Sequence, residues 1–321
     1  ADDYKAIVKN NYTNAETVSV WGGEEQAVPE YGKVFLSIKP ANAETLTDVQ
    51  KQFIKDSILK TKNLVSITPE IVDPETTYIR LASTVKFDSN STTFAAADIQ
   101  SSVTTSLTNF NRDNLLSFNS QYRASEVSRL IDNTDTSILN NTTSVKLSKF
   151  LTPTTGSTVS YNISFNNALL HPENGYLSST GGILTSTGFK VGTDTTSEFF
   201  FDDDGEGNLR RYSLVGTTRS YADLQAGSID YSSGVIKINN INITSISNVD
   251  DATSLQIRIV VSPSSNDIVP VRNQILEIDF ANSTITASAD TQSSSGSSIS
   301  TSGSGTSTTT TVSTSGGSSS Y

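Results

Sequence analysis

The spacing of hydrophobic residues along the chain changes near residue 150. Before it, strand-like alternation and helix-like spacing both occur, and after it only alternation remains. Ile79, Leu81, Ser83, Val85 and Phe87 alternate strictly with other residues, as a half-buried strand requires. We therefore predict an α+β fold. Residues 1–150 form a sheet with helices packed on one side, and residues 151–286 form an all-β sandwich or barrel-like domain.

Several further elements are predicted within residues 1–150. Thr47-Asp48-Val49-Gln50 has the form of a capping box and opens a helix. Its predicted apolar face comprises Leu46, Val49, Phe53 and Ile54. A second helix carries the stripe Ile99, Val103, Leu107 and Phe110, and a third covers Ser125–Ile131. The remaining strands are predicted at Val18–Trp21, Val34–Ile38, Val65–Ile67 and around Val145 and Leu147.

Strands alone are predicted after residue 150. Leu151-Thr152-Pro153-Thr154-Thr155-Gly156 is turn-rich and marks the domain boundary. Clean alternation follows at Val159–Phe165, Leu255–Val261 and Leu276–Phe280. Residues 287–321 form a Ser/Thr/Gly-rich tail with too little apolar surface to fold alone, so we expect it to become ordered only against another chain.

Composition excludes several classes of function. The net charge is −11, and no basic patch is present that could neutralise nucleic-acid phosphates. The chain has no Cys and one His, which excludes disulfide frameworks, thiol catalysis and the common zinc sites. No stretch approaches the roughly 18 apolar residues of a membrane-spanning helix. The chain also has no Met, so we expect a processed chain or a fragment of a longer protein.

The sharpest local motif is Asp202-Asp203-Asp204-Gly205-Glu206-Gly207. Its alternating carboxylates are similar to the start of a calcium loop, but the twelfth position is Ser213 rather than a bidentate Glu. Its flanks, Phe199–Phe201 and Leu209–Tyr212, have the composition of strands. We therefore predict a hairpin tip with glycines at positive φ, and no metal site.

No other motif predicts catalysis or a cofactor. The carboxylate pairs Asp2-Asp3, Glu24-Glu25 and Asp250-Asp251 lie in polar contexts without a pocket signal, and no phosphate loop or dinucleotide motif is present. His171 lies in a turn-like string and is predicted to be a surface residue. Trp21 is interpreted either as a core residue at a strand end or, with less support, as an interface anchor. We predict no catalytic, cofactor-binding or metal-binding residues.

Two runs in the first 40 residues resemble a known family. Val20-Trp21-Gly22-Gly23-Glu24-Glu25 and Pro29-Glu30-Tyr31-Gly32-Lys33-Val34-Phe35-Leu36-Ser37-Ile38-Lys39-Pro40 look like the wedge subunit of T4-type phage baseplates, of the baseplate J-like family. The resemblance covers about residues 1–150 and is weaker over 151–286, and it implies that the chain is the C-terminal part of such a subunit. It implies a structural late protein of the virion, assembled in the host cytoplasm, whose wedges close into a ring around the central hub and tail tube. It implies no catalytic residue, and the glycines of the first run are interpreted as permitting a tight turn.

The partners that we expect are other proteins. They are other wedge subunits and a second copy of this chain in a two-fold dimer, through the strand edges of the second domain. Nucleic acid, membranes and small-molecule substrates are not expected. The alternative is a β-rich tail adhesin or carbohydrate-binding protein, which shares the Ser/Thr/Asn/Gly composition. Such a protein should carry tandem motifs or a cluster of aromatic and acidic residues, and the tandem regularity is absent.

Overall fold

The computed structural model describes residues 2–26, 29–60, 67–172, 182–247 and 255–290. Within these ranges all four α-helices lie before residue 133, and every later element is a strand. The predicted α+β class, with a β-rich second part, is therefore confirmed.

The helices are Asp2–Asn11 (α1), Asp48–Phe53 (α2), Ala96–Phe110 (α3) and Ala124–Asp132 (α4). The π-helical turns Ile54–Leu59 and Asn111–Leu115 extend α2 and α3. The strands are Ala15–Gly22 (β1), Lys33–Pro40 (β2), Thr68–Val72 (β3), Glu75–Phe87 (β4), Ile138–Leu151 (β5), Thr158–Ser164 (β6), Thr185–Ser186 (β7), Phe189–Val191 (β8), Phe199–Asp203 (β9), Asn208–Val215 (β10), Thr218–Asp230 (β11), Val235–Ile246 (β12), Ile257–Val261 (β13), Gln274–Ile278 (β14) and Thr284–Ala289 (β15).

The first 72 residues contain a small sheet with its own apolar core. β2 pairs with β1 antiparallel and with β3 parallel. Tyr4 and Val8 of α1 pack with Leu36 and Ile54 in this core. Helix α1 was not predicted, although the i, i+4 spacing of Tyr4 and Val8 could have indicated it.

Helix α2 begins as predicted but buries a different face. Thr47 and Gln50 form the capping box, with the Gln50 N–H donating to Thr47 Oγ1 at 3.3 Å and the Thr47 N–H to Gln50 Oε1 at 2.9 Å. Val49 is 80% exposed and Phe53 is 53% exposed, so their assignment to the apolar face was wrong. Ile54 instead faces the core together with Ile58 and Leu59 of the π-helical turn, and at about 100° per residue Val49 and Phe53 point well away from Ile54.

Strand β4 lies inside a six-stranded sheet, with partners on both of its edges. On one edge it pairs antiparallel with β5. On the other edge it pairs parallel with β14 along its first half and with β15 along its second half. Between these two partners the Asn282 backbone oxygen accepts from the Arg80 side chain, and Ser283 Oγ accepts from the Leu81 backbone N–H at 2.9 Å. The helix α3 stripe is buried as predicted, and it packs in the same core as Ile285 of β15.

The strands between β5 and β13 form a second sheet that closes on itself, except for β7, which pairs with β13 in the β4 sheet. The pairing order β8, β9, β10, β11 and β12 returns to β8, which makes a five-stranded barrel, and β6 adds to the outer edge of β12. Its interior side chains include Phe189, Phe201, Ile236 and Ile243. These residues belong to the same apolar cluster as Ile79 and Leu107, so the barrel and the β4 sheet share a continuous core.

Strands from both sides of the proposed boundary at residue 150 pair in one sheet. β13, β14 and β15 follow the boundary, yet they join β5 and β4, which precede it. The division into 1–150 and 151–286 stays a prediction. The start of the strand predicted at Val65–Ile67, the Asp250-Asp251 pair and the tail from residue 291 lie outside the described residues.

The shared sheet predicts that residues 1–150 do not fold correctly alone. Without β14 and β15, one edge of β4 and the face of α3 toward Ile285 lose their partners. We expect fragment 1–150 to aggregate or to melt without cooperativity, whereas fragment 1–289 melts like the full chain. Circular dichroism melting of the three proteins is the measurement. A monomeric, cooperatively melting fragment 1–150 would favour the boundary at 150 instead.

Candidate functional site

The acidic motif at the end of β9 begins with a carboxylate that is fully buried in an ionic cluster. Asp202 lies opposite Arg210 in the β9–β10 register. Arg210 donates to it through Nε at 3.0 Å and Nη2 at 3.1 Å. Arg219 Nη1 donates to Asp202 Oδ2 at 2.6 Å, and the Tyr221 hydroxyl donates to the same oxygen at 2.9 Å. These donors come from the two strands that follow β9 in the barrel, β10 and β11.

Aromatic rings complete the surroundings of these charges. The Arg210 guanidinium lies 4.3 Å from the centre of the Tyr221 ring, and that of Arg219 lies 4.6 Å from the Tyr212 ring. Burial raises the pKa of Asp202, whereas the hydrogen bond from Tyr221 and the two guanidinium groups act in the opposite direction. The Asp202 cluster, comprising Asp202, Arg210, Tyr212, Arg219 and Tyr221, therefore ties three strands of the barrel together.

The next two aspartates have different partners. Asp203 is buried, and it accepts from the Leu184 N–H at 2.9 Å and from the Tyr231 hydroxyl at 2.6 Å. Burial and this hydrogen bond raise the pKa of Tyr231. Asp204 turns outward and accepts from the backbone N–H groups of Glu206 and Asn208 at 2.8 and 3.0 Å. The three carboxylates therefore do not converge on one point.

The loop after Asp204 is the predicted hairpin tip. Gly205 and Gly207 have φ of +82° and +99°, the left-handed region that glycine adopts readily. Asn208 Nδ2 donates to Asp204 Oδ2 at 2.6 Å, so both oxygens of this carboxylate accept from the loop itself. Among the described residues no group of three or more His, Asp or Glu side chains is arranged to hold a metal ion.

The other predicted candidates remain apart from one another. His171 is exposed, with its ring 4.7 Å from that of Tyr231 in an edge-on arrangement. Glu24 and Glu25 are exposed on the 3-10 turn that follows β1. Glu25 lines a small cavity together with Lys5 and Arg272, but no second carboxylate is among the residues that line it.

Trp21 is a buried residue, as the interpretation with more support predicted. It is 5% exposed and stacks on Phe35 with ring centres 5.9 Å apart. Gly23, two residues later, is required for a reason other than the predicted tight turn. A Cβ at Gly23 would lie 1.9 Å from the backbone oxygen of Glu30, so glycine is required by close approach within a longer connection.

Two sets of exposed apolar side chains were not predicted as surface features. Val49 and Phe53 lie one turn apart on α2. Leu214 and Val215, which are 50% and 70% exposed, lie at the end of β10. Pairing between β10 and β9 ends with Ser213 opposite Phe199, so the last two residues of β10 pair only with β11. A cavity of about 470 Å³ lies beside them, lined also by Thr196, Ser197 and Phe200.

Comparison with known families gives two matches, both in the first half of the chain. Residues 1–72 match the model described as baseplate structural protein gp6, C-terminal domain I, and residues 75–149 match the one described as C-terminal domain III. Together the matches support a structural protein of a T4-type phage baseplate. The matched ranges also agree with the fold, since the first contains the small sheet with its own core and the second runs from β4 to β5.

No curated protein matches the chain. Within the described residues, no helix is long and apolar enough to cross a membrane.

The Asp202 cluster should contribute strongly to stability. Asp202→Asn removes the charge that two arginines share, and unpaired buried charges are costly, so we expect a loss of about 3 kcal/mol in the free energy of unfolding. Glu206→Gln, at the exposed hairpin tip, is the matched control and should change it by less than about 0.5 kcal/mol. Urea denaturation of both variants is the measurement. If the two variants had equal free energies of unfolding, the Asp202 cluster would make no net contribution to stability.

Proposed function

We propose that this chain is a wedge subunit of a contractile-tail phage baseplate, of the baseplate J-like family. Its wedges would close into a ring around the central hub and tail tube through protein–protein contacts. The observation that carries the proposal is the pair of family matches, which follow one another over residues 1–149 in a single chain. We further propose that the subunit is a late protein of the virion that assembles in the host cytoplasm.

The polar groups of the acidic motif are bound by other groups of the same chain, which supports a role without catalysis. The strongest acidic motif is bound by arginines, tyrosines and backbone N–H groups of the chain itself. A catalytic carboxylate instead needs access to a substrate. We propose that the subunit has no enzymatic activity, cofactor or metal ion. An unchanged melting temperature in excess EDTA is the expected result, because a bound ion would stabilise the folded state.

The exposed apolar residues supply two separated candidates for contacts. A ring-forming subunit needs at least two different contact surfaces. The Val49–Phe53 face of α2 belongs to the first matched domain, and the Leu214–Val215 end of β10 belongs to the barrel. We propose that α2 contacts another wedge protein and that the barrel contacts a second copy of this chain.

The end of β10 suits a two-fold contact. Beyond Ser213 one edge of β10 has no neighbouring strand among the described residues, so its backbone groups are open to an added strand. Two copies could pair these edges antiparallel about a two-fold axis, with Leu214 and Val215 buried between them. Apolar contact is needed here, since two copies of charge −11 repel each other.

Light scattering tests the proposed dimer. The full chain at micromolar concentration should have twice the monomer mass, and Val215→Lys should reduce it to the monomer mass, because Lys on a strand edge opposes pairing. Leu255→Lys is the matched control, since Leu255 is 71% exposed and Val215 is 70% exposed. A monomeric wild-type chain, or equal masses for both variants, would contradict this contact.

Co-expression with the other wedge subunits of the same phage tests the wider role. We expect a complex that survives gel filtration and that Phe53→Ser weakens, with Tyr31→Ser, also an exposed aromatic, as the control. A chain that joins no wedge complex but binds glycans on an array would instead support the alternative of a tail adhesin.

A further inference from the structure

A small cavity beside Trp21 is lined mainly by hydrogen-bond donors from four separate segments. Its volume is about 160 Å³. Lys5 comes from α1, Ser19 and Trp21 from β1, Glu25 from the following turn, Asn119 from the loop after α3, and Arg272 from the loop before β14. This group, which we call the Trp21 pocket, has no role in the Asp202 cluster or in the two apolar surfaces.

The indole of Trp21 carries a donor without an acceptor. Its Nε1 is buried and has no hydrogen-bond partner within the described structure. An indole N–H can only donate, and a buried unpaired donor costs about 1–3 kcal/mol. Trp21 lines the pocket, so an acceptor that enters it and reaches Nε1 would remove this cost.

The two cations of the pocket are positioned by the surrounding backbone. Arg272 donates through Nη2 to the backbone oxygen of Glu25, which fixes one side of its guanidinium group and leaves its other nitrogens for a ligand. Arg272 and Asn119 both have left-handed backbones, with φ of +53° and +67°. Lys5 is half-buried one turn of α1 before the exposed Lys9.

Charge and size define the class of ligand. Lys5 and Arg272 contribute two positive charges and Glu25 one negative charge, so the lining has a net charge of about +1 in a chain of net charge −11. A singly charged anion balances this lining, whereas Glu25 opposes a dianion such as phosphate. A cavity of about 160 Å³ is large enough for a carboxylate group.

We propose that the Trp21 pocket is a carboxylate-binding site. The carboxylate could come from an acidic side chain of a partner protein or from its C-terminus, and the chemistry of recognition is the same for both. Arg272 and Lys5 bind the charge, and the Trp21 N–H donates to a carboxylate oxygen. The inference does not depend on the baseplate role, because the pocket can be tested on the full chain without any partner.

Trp21 is the only tryptophan, so its indole ¹H–¹⁵N resonance reports on this pocket alone. The full chain is titrated with sodium acetate, and with sodium chloride at matched ionic strength. We expect a saturable downfield shift with acetate and no saturable shift with chloride. An indole resonance that responds equally to both salts would overturn the proposal.

Variants assign the binding groups. Arg272→Gln should weaken acetate binding about tenfold, as expected for loss of a charge-assisted hydrogen bond. Lys5→Gln should weaken it about two- to fivefold, because Lys5 is partly exposed. Lys9→Gln, which removes an exposed charge on the same helix, is the control and should titrate like the wild type. Near-UV circular dichroism verifies folding, and Lys5→Gln keeps the test valid if Arg272→Gln unfolds.

Blocked peptides identify the source of the carboxylate. Acetyl-Ala-Asp-Ala-amide tests an acidic side chain and acetyl-Ala-Ala-Ala with a free C-terminus tests a terminal carboxylate, while acetyl-Ala-Asn-Ala-amide is the neutral control. Saturable binding of either acidic peptide supports the site and names its source. Binding of the neutral peptide with equal affinity, or tighter binding of inorganic phosphate than of acetate, would overturn it.

Discussion

Strand β4 depends on partners about 200 residues away, and this constraint organises the rest of the molecule. Its parallel pairing with β14 and β15 requires the chain to leave the sheet after β5, form the barrel and return. A parallel pair always needs a long crossover. The barrel lies within this crossover. Its buried apolar side chains belong to the same core cluster as those of the sheet. Where β14 gives way to β15, side chains take part in the contacts to β4, since the Arg80 side chain donates to the Asn282 backbone oxygen and the Leu81 backbone N–H donates to Ser283 Oγ.

The barrel is stabilised in a different way from the sheet. β8 and β9 are short, with three and five residues, and one carboxylate and two guanidinium groups join β9, β10 and β11. A buried ionic group of this kind is costly when it is incomplete, so it penalises any register in which Asp202 and Arg210 are not opposite each other. The same residues that are similar to a calcium loop in the sequence therefore act as determinants of strand register.

Local sequence signals predicted the elements, while contacts between distant segments could not be predicted. The strict alternation of β4, the α3 stripe and the Thr47 capping box depend on near neighbours, and each is present. The exposure of Val49 and Phe53 depends on how α2 is oriented against the core, which buries Ile54, Ile58 and Leu59 and which hydrophobic spacing alone does not encode. The partners of Asp202 lie on two later strands, and the Trp21 pocket draws residues from positions 5 to 272. A single sequence gives no information about such pairings.

The distribution of charge favours contacts of more than one kind. A chain of net charge −11 keeps copies of itself apart at long range, so attraction between copies must come from desolvated apolar side chains at short range. The Leu214–Val215 edge meets that requirement. The Trp21 pocket is positively charged and would instead select an acidic group, which gives specificity and orientation more than affinity. The Leu214–Val215 edge and the Trp21 pocket lie on different segments, so one contact could change while the other is kept. An assembly of several different subunits requires contacts that are independent in this way.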